Sequence, residues 1–171
     1  LIMRTQKIDF PERQTLCVFP EKRENLAQAI SELQLGGTFP VIVLIGGGID
    51  EREAEATRRA MQTISKIAED MNTLVICGGT DMGVMAEIGQ MRSQNHYKFP
   101  LVGITLEEMV TWPGGPHNAN FLWLGKKRWQ LEPHYSHFIL VPGSDLGVVS
   151  PWIVDAATIL SKGHRSVTIL I

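Results

Sequence analysis

VIVLIGGG, residues 41–48, decides the fold class. Five consecutive apolar residues that stop abruptly at three glycines read as a strand buried on both faces and ended by a tight turn. Asp50 is then expected to cap a helix, with Glu53 completing a capping box, because Ala60, Met61, Ile64, Ile67, Ala68 and Met71 recur on one face downstream. The plan repeats: residues 73–77 read as a strand, Gly78-Gly79 as its turn, and Thr80 or Asp81 as the cap of a helix running toward Ser93. Further strands are expected at residues 101–105, 137–141 and 166–171. After the second of these, Pro142-Gly143-Ser144 breaks the chain, and Ser150 as N-cap with Pro151 behind it opens a helix that Gly163 ends. Strand, turn and helix in this alternation predict an α/β protein: a Rossmann-like open parallel sheet with helices on both faces, in a single domain.

Outward from this unit the reading divides the chain into residues 41–171, the Rossmann-like part, and residues 1–40, an N-terminal extension packed on it. The extension holds a strand at residues 15–19 and a helix at 25–35 ending at Gly36-Gly37. Residues 106–136 are long for a connection and read either as a lid, with Lys126, Lys127 and Arg128 available to clamp a phosphate, or equally as a solvated surface excursion. The chain of 171 residues suits one domain, and its 44% hydrophobic and 20% charged residues exclude a disordered polymer. A net charge of -2 lacks the basic footprint of a nucleic-acid binder, and the apolar runs fall far short of the roughly 20 residues that span a bilayer. Two widely separated cysteines, Cys17 and Cys77, with no secretory leader pattern, point to a reducing cytoplasm. Leu1 in the place of an initiator Met predicts that the chain begins inside a longer one.

Ligands of open parallel sheets collect outside the carboxyl ends of the strands. Gly46, Gly47, Gly48, Gly78, Gly79 and Gly143 all fall there, where the absence of side chains lets main-chain N–H groups and helix N-termini approach an anion. Each cluster alone serves tight packing equally well; together they describe a phosphate-accepting rim. The segment Gly46-Gly47-Gly48-Ile49-Asp50-Glu51 is neither GxGxxG nor a Walker A loop, which excludes an NAD dehydrogenase and a P-loop NTPase. His117, His134 and His137 lack the spacing of a metal site, so no metal is expected. Trp112, Trp123, Trp129 and Trp152 either anchor a homo-oligomer or fill the core.

Cys77-Gly78-Gly79-Thr80-Asp81-Met82-Gly83-Val84-Met85 resembles the GGTxxGVM segment of the SLOG superfamily, which takes its name from Smf/DprA and LOG proteins. Leu131-Glu132-Pro133-His134-Tyr135-Ser136-His137-Phe138-Ile139-Leu140-Val141 is similar to the LxPxHSHFxLV stretch in the N-terminal cytosolic region of melastatin-type TRP channels, which narrows the resemblance to the prokaryotic LSDAT branch. The resemblance implies a sensor or regulatory module for a nucleotide-derived ligand of the ADP-ribose or NAD-derivative class, with no further cofactor. By position it implies ligand contacts at Gly78, Gly79, Thr80, Gly83 and Val84, and at Gly143, Ser144, Asp145 and Ser150. The phosphoribohydrolase branch of the superfamily uses a PGGxGTxxE motif whose glutamate assists glycosidic cleavage. Here Pro142-Gly143 runs into Ser144-Asp145-Leu146-Gly147-Val148-Val149-Ser150, and Asp145 is the acid left in that motif, so the reading leans against an enzyme. The alternative is a nucleotide N-glycosidase or phosphoribohydrolase in which Asp145 or Glu132 acts on water. A second alternative is single-stranded DNA binding, as in the DprA branch.

Overall fold

The computed structural model describes residues 3–115 and 128–171. Strands β1 (Arg4–Phe10) and β2 (Arg13–Phe19) form a hairpin, and α1 (Leu26–Glu32) follows. Next come β3 (Val41–Ile45), α2 (Ala54–Asp70), β4 (Leu74–Cys77), α3 (Gly83–Gln94) and β5 (Leu101–Leu106). Beyond β5, the short strands β6 (Val110–Thr111) and β7 (Trp129–Gln130) pair with each other, before β8 (His137–Val141), α4 (Val149–Leu160) and β9 (Ser166–Leu170). One seven-stranded sheet runs in the order β1-β2-β8-β5-β4-β3-β9, parallel throughout except for β1.

The central strands are apolar at successive positions because both of their faces are covered. Ile42, Leu44, Val75, Cys77, Phe138 and Leu140 meet α2 and α3, through Met61, Ile64, Ala68, Val84 and Ile88. Val41, Val43, Leu74, Ile76, Val102, Ile104, Ile139 and Val141 meet α1 and α4, through Leu26, Ala29, Ile30, Val149, Trp152 and Leu160. The chain steps from β3 to β4 to β5 under helices on the first face, then returns from β8 to β9 under α4 on the second, the doubly wound plan that opens a crevice at the carboxyl ends. Among the described residues no helix is long and apolar enough to cross a membrane.

Several boundaries differ from expectation. The hairpin partner β1 carries Arg, Thr, Gln, Lys and Asp and buries only Ile8 and Phe10, so it offers little apolar pattern to read. Asp50 does not cap α2: its carboxylate turns onto Arg52, accepting from the backbone amide at 2.9 Å, and the helix begins at Ala54. Neither Thr80 nor Asp81 caps α3, which starts from Met82 without a side-chain cap. Ser150 and Pro151 lie inside α4, which is entered through a 3-10 turn at Leu146–Val148 capped by Asp145. The first helix is shorter than the expected 25–35, because Gln34 already takes a left-handed φ of 55°. Trp112 and Trp152 fill the core, Trp112 against Phe19 at 5.9 Å between ring centroids; Trp123 and His117 lie outside the described residues.

Candidate functional site

The parallel order sets the ends of β3, β4, β5 and β8 side by side, and the three glycine turns follow β3, β4 and β8 directly. Gly47 and Gly48 have open space where a side chain would stand. Facing them, α3 begins at Gly83, whose φ is +51° and whose Cβ position is occupied by the Gly47 carbonyl. The Val84 amide donates to that carbonyl at 3.3 Å, so the first two turns form one continuous surface. In the first turn of α3 the Ala86 amide reaches Met82, whereas the amides of Gly83 and Met85 have no backbone acceptor among the described residues and no side chain caps them. Unmatched N–H groups at the positive end of a helix dipole favour an anion. The Met85 amide was not flagged by the sequence, since an amide without an acceptor leaves no signature in residue type.

The other rim residues divide by the direction they face. Gly78 and Gly79 open inward. A Cβ on Gly78 would stand 2.5 Å from Met85 Sδ, and one on Gly79 would stand 2.9 Å from both Gly103 Cα and the Phe138 ring. Their amides approach the buried Cys77 thiol, which burial pushes up to about 11 against these donors and the Tyr135 hydroxyl. Thr80 is buried and donates to Met85 Sδ at 3.2 Å, Val84 is buried, and Gly46 is closed off by Val84 and the Ile171 carbonyl. The side chains of Thr80 and Val84 and the Cβ directions of Gly46, Gly78 and Gly79 thus seal the turn from beneath, so any ligand contact at these positions falls to the main chain. At the third turn, separated from the second by β5 and so about 10 Å away, Gly143 opens toward Val148 and Leu106. Ser144, Asp145 and Ser150 are exposed there, and Asp145 Oδ1 accepts the Gly147 amide at 2.8 Å.

A comparison with protein-family models matches residues 39–171 to the family described as SLOG in TRPM, prokaryote. The match spans every glycine turn and all four central strands. The chain belongs to this family. No curated protein matches. Membership of this LSDAT branch of the SLOG superfamily suggests nucleotide-related ligand binding.

The second LSDAT-like segment has a different task from the first. It descends across the α3 face of the sheet, starting beside the second turn: Thr80 bridges to Leu131, the Asp81 amide donates to Gln130 at 2.8 Å and the Glu132 amide to Gly79 at 2.9 Å. Tyr135 then stacks on Phe138 with centroids 5.5 Å apart, and the Phe138 ring fills the space that Gly103 and Gly79 leave. Glu132 is not a lid residue. It is 1% exposed, with Oε1 2.6 Å from His134 Nδ1 and Oε2 accepting the His134 amide at 2.7 Å. Burial raises its pKa and the bonds from His134 oppose that rise; with both oxygens engaged, Glu132 is not placed to activate water. His134 and His137 stand at the start of β8, away from the glycine turns, and among the described residues no three His, Cys, Asp or Glu side chains converge as metal ligands. Of the lid cations, Lys126 and Lys127 lie outside the described residues, and Arg128 Nε donates to the Glu108 carbonyl at 2.8 Å.

Proposed function

We propose that the chain binds a nucleotide-derived ligand of the ADP-ribose or NAD-derivative class at the carboxyl edge of its sheet, and serves as a cytoplasmic sensor or regulatory module. The observation that carries this reading is the pair of unmatched Gly83 and Met85 amides beside the open Gly47-Gly48 loop. A pyrophosphate laid there accepts main-chain hydrogen bonds that need no side chain, each charge-assisted bond contributing about 1.5–3 kcal/mol. Ser144, exposed at the third turn, is within reach of a ligand that extends across β5.

The test is calorimetric titration of ADP-ribose into the wild-type chain and Gly47→Asp. Gly47 has room for a side chain and an ordinary backbone angle, so the variant keeps its fold while placing a carboxylate against the phosphates. Affinity is expected to fall by more than about tenfold, the effect of one lost charge-assisted bond or more, with an unchanged melting temperature. Equal affinity in the folded variant removes the site from the glycine edge. Absence of any heat with ADP-ribose and with NAD removes the ligand class.

A further inference from the structure

The opposite end of the sheet, where the parallel strands begin, carries a cleft of about 350 Å³. Arg13 opens β2, Arg92 sits in the last turn of α3, His96 and Lys98 lie on the connection into β5, and His134 precedes β8. Nη1 of Arg13 and Nη1 of Arg92 both donate to the His134 carbonyl, at 2.9 and 3.3 Å, and Nε of Arg92 donates to the Phe99 carbonyl at 2.8 Å. Nε of Arg13 is buried and meets no acceptor among the described residues.

Two guanidiniums sharing one neutral oxygen repel each other; the charges of Glu132 and Glu69 offset part of that repulsion, but among the described residues neither arginine makes a direct ion pair with them. Glu132 is bound to His134, and Glu69 Oε2 is occupied by the amides of Lys98 and Phe99 at 2.7 and 2.8 Å. Glu12 lies at the solvent-facing mouth, its carboxylate 3.9 Å from His134 Nε2. The positive field is felt locally: burial and Arg13 lower Arg92 to about 10, and burial with both guanidiniums lowers His137 to about 4. The cleft thus has permanent cations at its back and lip, and a buried N–H donor without a partner.

We propose that this cleft is a second anion site, separate from the glycine edge, that takes the phosphate group of a small molecule between Arg13, Arg92 and Lys98. A phosphate seated beside Arg13 and Lys98 offsets the repulsion between the two arginines while the Nη1 bonds to the His134 carbonyl stay in place. Tyr97 on the same wall leaves space beside the phosphate for an organic substituent, so free phosphate and a phosphomonoester share the chemistry.

The experiment is a titration of the whole chain with sodium phosphate, and separately with adenosine monophosphate, against sodium chloride at matched ionic strength. It is followed by nuclear magnetic resonance of the Arg13 Nε–H and Lys98 amide signals. Saturable millimolar shifts with phosphate and none with chloride are expected. Lys98→Glu, an exposed position that leaves the core untouched, and Arg13→Lys, which keeps the charge but loses the buried Nε, should each weaken saturation by about tenfold or more, while Gly47→Asp leaves it unchanged. Tighter saturation by the monophosphate assigns an organic phosphate; equal saturation assigns the free ion. The proposal is overturned if chloride reproduces the shifts, if Lys98→Glu saturates like wild type, or if Gly47→Asp abolishes the response at Arg13.

Discussion

At the first two turns of the carboxyl edge the hydrogen-bonding groups left unmatched belong to the main chain, the Gly83 and Met85 amides beside Gly47 and Gly48. At the amino edge the groups that define the cleft belong to side chains, buried Arg92 at its back with Arg13 and exposed Lys98 beside it. A strand length, roughly 15–20 Å, separates the two. The difference sets how each can be damaged. A main-chain surface has no side-chain charge to remove and fails when volume is added beneath it or a negative charge is set beside it. A side-chain surface tolerates volume at its mouth and fails when its charges change.

The largest expected effect breaks the carboxyl edge from below. In Gly79→Ala the new methyl meets Gly103 Cα and the Phe138 ring at 2.9 Å, at a φ of +80° that disfavours any side chain. The left-handed backbone costs about 1–2 kcal/mol and the overpacking about 1–3 kcal/mol, so thermal unfolding should report a loss of about 2–5 kcal/mol. A variant as stable as wild type would mean that the turn is free to move. The contrast with Gly47→Asp, stable but defective in binding, separates glycines that serve packing from those that serve a ligand.

Next in size is a pH effect at the amino edge. His137 is lowered to about 4 by burial and by Arg13 and Arg92, so it is neutral when folded but takes a proton below about 6.5 when unfolded. Its contribution is therefore complete above pH ~6.5 and is lost as pH falls through the window from ~6.5 to ~4, about 3 kcal/mol at the full shift. His137→Gln should flatten the decline of unfolding free energy across that window relative to wild type. Parallel curves would show that the histidine is not the proton acceptor. The raised carboxyl of Glu132 acts with the opposite sign but is common to both proteins and cancels in the comparison.

The smallest effect concerns the third turn. Asp145→Ala removes the bond to the Gly147 amide and should cost about 1 kcal/mol in chemical denaturation, as N-cap losses do. A much larger loss of ADP-ribose affinity than of stability would indicate that the side chain also meets the ligand.

The sheet was legible where strands are buried on both faces, because residues such as Val41 to Leu44 and Phe138 to Val141 have no exposed positions to interrupt the apolar run. β1 was not, since an edge strand with Arg4, Lys7 and Asp9 on view looks like solvated chain. Helix starts were misplaced for a related reason: Asp50 and Ser150 are good caps by residue type, yet the distance from strand end to helix start is fixed by how the chain must climb over the sheet. The glycine turns were found by composition, but which of them point outward depends on neighbours distant in sequence, Phe138 above Gly79 and the Gly47 carbonyl behind Gly83. The amino-edge cleft draws on β2, α3 and the approach to β8, and no local spacing joins Arg13 to Arg92.

The middle of α3 carries a glycine at position 89, and the Glu132 carboxylate lies where its side chain would be. These two positions therefore share a single allotment of volume. In any relative where residue 89 gains a methyl, residue 132 must shorten or leave the helix face, taking its histidine with it, so the pair should vary together although 43 positions separate them in the chain.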